Sequence, residues 1–301
     1  MTWQLSIAGV LIGTLVGMTG MGGGSLMTPL LVLIFGFNPA VAVGTDIAHG
    51  AIFKSVGAIR HRRMGNVAAR LSGWMFLGSA PMSLVGVWLA TWLKHRYGGG
   101  TQSVGAAVLG VALLIGGAGL LAKSFVSVRE HPKHFRRLTR RDRLAAVGVG
   151  LFGGLIVGLT SVGTGVFFGL SLLILFPLRS QKVVGTDIFH AAALLWVAGA
   201  GHFVAGNVNM GAVGWLLIGS IPGVLIGSQL TLKMRDRVLR NALATVLLAS
   251  GVKLLAPPGQ LVLLGLVIAA GLALLVWLER YRPLAPAPQR RAAPPAGLET
   301  G

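Results

Sequence analysis

Gly44-Thr45-Asp46-Ile47-Ala48-His49-Gly50 returns 141 positions later as Gly185-Thr186-Asp187-Ile188-Phe189-His190-Ala191, and this echo decides the fold. The register holds without a gap from Gly9 to Gly86 against Gly150 to Gly227. Gly13, Gly17, Gly22 and Gly24 recur as Gly154, Gly158, Gly163 and Gly165, and Gly65-Asn66-Val67 recurs as Gly206-Asn207-Val208. Gly73-Trp74, Gly78-Ser79 and Pro81 recur as Gly214-Trp215, Gly219-Ser220 and Pro222. Biased composition supplies scattered glycine matches, but it does not keep Thr, Asp, His, Asn, Trp and Pro in one register. The chain is a duplicated unit.

Its 301 residues are 54% hydrophobic and 11% charged, with a mean hydropathy of +0.78, which excludes a soluble domain around a single core. Apolar runs fall at about 4–20, 22–36, 41–59, 71–93 and 103–122, then at 144–160, 162–177, 183–201, 209–232, 241–256 and 260–278. A full span needs roughly 20 apolar residues, so the second run of each half is short. The expectation is an all-α polytopic membrane protein: two repeats of about five hydrophobic segments each, plus one extra C-terminal helix. The predicted organisation is a first membrane repeat over 1–123, a basic cytoplasmic connector over 124–143, and a second repeat over 144–256. An extra transmembrane helix over 257–280 and a disordered, Pro- and Ala-rich cytoplasmic tail over 281–301 complete it. The first run lacks a basic leader and carries the repeated glycines, so it reads as structure and not as a cleaved signal. With no cysteine, disulfides, thiolate metal sites and iron–sulfur clusters are excluded, and no cofactor is expected.

A net charge of +19 invites a nucleic-acid partner, but the positions of the charges argue otherwise. Apart from Lys94, Arg96 and Lys253, every Lys and Arg lies in 54–70, 123–143, 179–182, 233–240 or the tail from 280. If these are cytoplasmic, the positive-inside rule accounts for the excess, with anionic lipid headgroups as their partners. Equivalent loops also disagree in charge. Lys54, Arg60, Arg62, Arg63 and Arg70 have no basic counterpart in 195–211, whereas Arg179 and Lys182 match an uncharged stretch near Asn38. The repeats are therefore expected to have inverted topology, a design that forms substrate sites near the midplane where the halves meet.

Asp46 and Asp187 are the only carboxylates inside apolar runs, and ionisable groups in hydrocarbon are costly enough to suggest function. Asp and His three apart share a helix face, so Asp46, His49, Asp187 and His190 are candidate proton-coupling groups. The bland alternative is that each Asp caps its own helix. The glycine clusters at Gly20–Gly24 and Ser161–Gly165 join the first two runs of each repeat, as two thin spans or as a hairpin. Converging backbone N–H groups there suit an anion, making Gly22, Gly23, Gly24, Gly163 and Gly165 candidate substrate-binding positions, with Thr45 and Thr186 beside them. Gly13-xxx-Gly17 and Gly154-xxx-Gly158 read as close helix packing, Trp74 and Trp215 as interface anchors, Pro81 and Pro222 as kinks, and His61 and His202 as interfacial. No hydrolase elbow, phosphate loop or zinc-protease motif is present, and no enzyme activity is expected.

The spaced glycines of the first helix, the GMGGG turn, Pro29, and Asn38-Pro39 followed by Val43-Gly44-Thr45-Asp46, repeated in the second half, resemble the TauE/SafE sulfite exporter family, also called the 4-toluene sulfonate uptake permease family. The resemblance covers about residues 5–280. It implies a prokaryotic inner-membrane carrier that moves sulfite, sulfoacetate or related organosulfur anions, commonly outward. Many members have Ser after the Gly-Thr pair where this chain has Asp46 and Asp187, and its second turn reads SVGTG. An ionised carboxylate repels an anion, so each Asp should hold a proton when substrate binds or stand clear of it.

The reading is a proton-coupled secondary transporter of a small anion, for which self-association as a homo-oligomer is compatible. Two alternatives stay open: a divalent-metal carrier using Asp46, His49, Asp187 and His190, and a membrane assembly subunit that transports nothing.

Overall fold

A computed structural model describes residues 2–19, 24–98, 104–125, 138–230 and 236–255. Among these, ten helices follow one another and there is no strand: α1 (Thr2–Thr19), α2 (Gly24–Leu33), α3 (Pro39–Arg63), α4 (Ala69–Tyr97), α5 (Val104–Phe125), α6 (Arg140–Thr160), α7 (Phe167–Leu175), α8 (Ser180–Val204), α9 (Met210–Leu230) and α10 (Asp236–Leu255). Residues 257–280, the tail from 281, Gly22, Gly23 and 126–137 of the connector lie outside the described residues.

Local chemistry sets the helix boundaries. Asn38 caps α3 by accepting the Ala40 N–H at 2.9 Å, with Pro39 in the first turn, where its missing donor costs nothing. Thr139 and Asp142 form a reciprocal capping box that starts α6, so that helix begins four residues before the apolar run at 144. The turns after α3 and α8 need Gly65 and Gly206, whose φ angles of 71° and 68° lie in the left-handed region. α4 and α9 continue through Pro81 and Pro222.

Among the described residues, four helices are long and apolar enough to cross a membrane: Ala69–Tyr97, Val104–Ala122, Arg140–Thr160 and Gln181–Val204. Large apolar side chains such as Leu77, Trp88, Phe152 and Ile218 face outward, as lipid contact requires. α3 has 25 residues, about 37 Å at 1.5 Å per residue, but it carries Asp46 and Lys54 inside it. α2 and α7 have 10 and 9 residues, so each reaches about half of a ~30 Å hydrocarbon core.

The two repeats interlock. The first helix of each packs on the fourth helix of the other, α1 on α9 and α6 on α4, while the third helices α3 and α8 pair, as do the fifth helices α5 and α10. Glycines permit this closeness: a Cβ on Gly9 would come within 2.6 Å of the Leu216 carbonyl, and one on its equivalent Gly150 would collide with the Met75 carbonyl. Gly154 and Gly158 lie against the backbone of Ser79 and Ser83 in the same manner. Contact order along these seams fixes direction. Gly9 faces Leu216 and Gly13 faces Ser220, so α1 and α9 run parallel. Gly50 faces Leu195 and Gly57 faces Ile188, so α3 and α8 run antiparallel; Gly110 facing Leu255 and Gly117 facing Leu248 make α5 and α10 antiparallel too. Two apolar cores result, one around Leu31, Leu113 and Leu216, the other around Met75, Phe168 and Leu194, and α3 contributes to both.

Two expectations need correction. Lys54, grouped with the basic loop 54–70, is only 4% exposed and sits inside α3, because the helix continues to Arg63. His202, expected at the interface, is fully buried: its Nε2 lies 2.9 Å from the Gly158 carbonyl, one of the oxygens that the end of α6 leaves without an intrahelical partner.

Candidate functional site

Asp46 and Asp187 lie two turns inside α3 and α8, so neither caps its own helix. Both are buried, at 1% and 6% exposure, where the antiparallel third helices meet. Each is tied to the broken segment of its own repeat. The Thr28 hydroxyl on α2 donates to Asp46 Oδ2 at 2.5 Å, and the Gly165 N–H donates to Asp187 Oδ1 at 3.3 Å. Among the described residues Asp46 Oδ1 has no hydrogen-bond partner, although the Ser161 side chain stands close enough to interact with that carboxylate. A buried oxygen with spare acceptor capacity is costly in a finished core.

The two histidines repeat one arrangement across the duplication. His49 Nε2 meets the Ser220 hydroxyl at 2.8 Å, and His190 Nε2 meets the Ser79 hydroxyl at 3.3 Å; each serine stands on the fourth helix of the opposite repeat. Aromatic rings enclose both imidazoles, Phe53 stacking on His49 at 5.6 Å and Phe168 meeting His190 edge-on at 4.6 Å.

The residues before each Asp serve docking. A Cβ on Gly44 would collide with the Asn207 carbonyl, and one on Gly185 with the Asn66 carbonyl. Thr45 Oγ1 accepts the Asn209 N–H at 3.0 Å and Thr186 Oγ1 accepts the Ala68 N–H at 2.9 Å, so each threonine caps the fourth helix of the other repeat. Each hydroxyl keeps its own proton to donate elsewhere. In the Ser161–Val166 turn, Ser161 and Gly165 have positive φ (63° and 90°), and Gly163 packs on Val157. Gly24 begins α2, while its neighbours Gly22 and Gly23 fall outside the described residues.

The residue that the sequence reading missed is Lys54. Its Nζ donates to Thr164 Oγ1 at 2.7 Å, reaching from α3 of the first repeat into the SVGTG turn of the second. It interacts electrostatically with both Asp187 and Asp46. The repeat register held a clue, since Lys54 falls opposite Leu195, an apolar residue at 2% exposure. A lysine aligned with a buried leucine is in the wrong company for a loop. Among the described residues, no group of three or more His, Asp or Glu gathers closely enough to hold a metal ion. The four residues of the metal-carrier alternative are therefore not one donor set.

A second polar cluster lies at the far end of α8. Asn207 receives Lys94 Nζ at 2.9 Å and donates to Thr91 Oγ1 at 2.7 Å, with His202 beside it. A small cavity lined by Asn38, Lys94 and Leu159 adjoins it.

Comparison with known proteins gives one answer. The family profile described as "Sulfite exporter TauE/SafE" matches residues 5–254. "Probable membrane transporter protein YjnA" of Bacillus subtilis (strain 168) is 33% identical over 258 residues, covering 85% of this chain and 100% of that protein. "Probable membrane transporter protein YdhB" of the same organism is 26% identical over 249 residues, 81% of this chain and 96% of that protein. No solved structure matches the chain significantly. The chain belongs to the TauE/SafE family, which makes it a multi-pass membrane transporter of a small molecule.

Proposed function

We propose that this member of the TauE/SafE family is a secondary active exporter of a small sulfur-containing or organic anion, such as sulfite, sulfoacetate or another organosulfonate, coupled to protons through Asp46 and Asp187. The observation that carries this reading is the presence of two repeat-related buried carboxylates on the packed helices α3 and α8, each held by the short second segment of its own repeat. Intramembrane carboxylates are expensive, and two at equivalent positions mark a pathway better than a packing device. In this reading the glycine turns hold the anion, with Gly22, Gly23, Gly24, Gly163 and Gly165 as its binding positions, whereas Thr45 and Thr186 dock helices at opposite ends of the α3–α8 pair and do not both reach it. His49 and His190 pass protons to and from the carboxylates.

The repeats have inverted topology in this reading, so that rocking one against the other opens the site to alternate sides. Support comes from the antiparallel pairing of the equivalent helices α3 with α8 and α5 with α10. The protein resides in a prokaryotic inner membrane, with its basic loops against anionic lipid.

The test is flux in liposomes. Purified protein should move sulfite or methanesulfonate with accompanying proton movement, and an Asp46→Asn/Asp187→Asn double variant, folded and inserted, should lose the proton movement. Zinc or manganese flux with no anion flux would favour the metal carrier. Partner copurification with no flux and no ligand-induced thermal shift would favour the assembly subunit.

A further inference from the structure

Lys54 stands apart from everything around it. Among the described residues it is the one Lys or Arg that is buried, and it has no basic counterpart in the second repeat. Packing alone does not call for it, because the second repeat fills the equivalent place with Leu195. An ammonium in a membrane interior persists only when opposite charge answers it, and Asp46 and Asp187 do so from α3 and α8. Its one hydrogen bond to a side chain goes to Thr164, in the glycine turn that also holds Asp187 through Gly165. An ammonium has three N–H donors, so donors remain for a ligand.

We propose that Lys54 is the anion receptor of the transport site, and that Lys54, Asp46 and Asp187 together fix the coupling at one proton per monovalent anion. This rests on the anion-carrier reading above. With both carboxylates ionised the three groups sum to one negative charge, and one proton makes them neutral. A monovalent oxyanion that binds Lys54 adds one negative charge, and a second proton, taken by the remaining carboxylate, restores neutrality. Among the described residues, the titratable groups nearest in sequence to the two carboxylates are His49 on α3, which interacts electrostatically with Lys54, and His190 on α8. Each is bonded to a serine hydroxyl, not to a carboxylate, and is counted as uncharged. The empty site with one proton and the loaded site with two are both neutral, so both can change sides. The anion-loaded site with a single proton keeps a net charge in a low-dielectric interior, and its movement is arrested by that cost.

Two consequences follow. A monovalent sulfonate or hydrogen sulfite fits the site, whereas a dianion leaves it charged even with both carboxylates protonated. The cycle carries no net charge, so voltage does not drive it. Net export then requires an internal excess of anion larger than the proton ratio across the membrane.

The experiment uses the full chain in liposomes with methanesulfonate as probe, tracer flux and an internal pH dye read together, and membrane voltage clamped by valinomycin and potassium. The expected result is one proton per methanesulfonate with a rate independent of voltage. Lys54→Gln should weaken methanesulfonate binding on the order of tenfold to a hundredfold, the value of a hydrogen bond to a charged group, and Lys54→Arg should restore part of it. If Lys54→Gln does not fold because two carboxylates are left without a cation, Asp46→Asn/Lys54→Gln removes one of them and keeps the question open to measurement. Methanesulfonate binding within about twofold of wild type in either folded variant, or a voltage-driven wild-type flux, would overturn the proposal while leaving the anion-carrier reading intact. Wild-type protein that neither binds nor moves any monovalent sulfur oxyanion would overturn both.

Discussion

The imidazole of His49 lies 2.8 Å from the hydroxyl of Ser220, which belongs to the other repeat, and the same relation recurs between His190 and Ser79 at 3.3 Å. Each repeat thus supplies the hydrogen-bond partner that the other needs. A polar pair placed twice, in swapped order, is a clasp between halves as well as part of a site. Ser220→Ala leaves a buried ring nitrogen unpartnered and should destabilise the protein by about 1–3 kcal/mol. Ser79→Ala should cost less, because its bond is longer. Thermal unfolding in detergent reads both, and equal behaviour to wild type in both variants would remove the clasp.

Glycine substitutions should separate by location and not by repetition. Gly44→Ala and Gly185→Ala drive a methyl into the Asn207 and Asn66 carbonyls, so both should lower the melting temperature and yield of folded protein. Gly73→Ala and Gly214→Ala are also a repeated pair, yet nothing stands within 4 Å of a Cβ at either position. These should be neutral or stabilising by up to about 1 kcal/mol, the helix-propensity gain. Circular dichroism melts of the four variants check this.

The trio of Lys54, Asp46 and Asp187 changes what single carboxylate variants should do. Asp46→Asn leaves Lys54 and Asp187 neutral without a proton, and arrival of a monovalent anion still calls for one proton on Asp187. Either single variant should therefore keep anion-dependent proton movement, although with altered pH dependence, and only the double variant should lose it. Proton-to-anion ratios for the three proteins in liposomes measure the outcome. Complete loss of coupling in one single variant would assign the proton to that carboxylate alone.

Because α3 and α8 run antiparallel, the turns at Gly65 and Gly206 lie at opposite ends of that pair. Reporters fused after Arg62 should read cytoplasmic, following the basic last turn Arg60-His61-Arg62-Arg63, and reporters fused at Asn207 should read external. A reporter pair on the same side would break the inverted-repeat reading.

Asn207 is fully buried among Lys94, Thr91 and His202, whereas its equivalent Asn66 is half-buried. Asn207→Ala should destabilise by about 1–3 kcal/mol and Asn66→Ala by clearly less, by the same melts. Equal losses would mean that the shared docking of Gly44 and Gly185, and not this cluster, dominates both positions.

The sequence by itself determined that the chain is helical and membrane-embedded, because hydrophobic runs and glycine spacing are local signals that no tertiary contact needs to supply. The 141-residue register also revealed the duplication and singled out Asp46, His49, Asp187 and His190, since an ionisable residue inside an apolar run is conspicuous in one dimension. Lys54 escaped although it lies inside the run 41–59, because Arg60, Arg62 and Arg63 follow it closely and a lysine ahead of them reads as loop charge; the length of α3, the Thr164 hydrogen bond and the attraction of Asp187 draw it inward. His202 escaped for the same reason, its partner being a carbonyl at the end of another helix. Thr45 and Thr186 show the opposite limit: their position beside each Asp suggested substrate, while their hydroxyls also cap helices that begin at Met210 and Ala69, more than 100 residues away along the chain. Which polar atoms are satisfied, and by whom, depends on how two interlocked repeats bring distant helices within 3 Å, and hydrogen bonds of that range leave no periodic trace in the sequence.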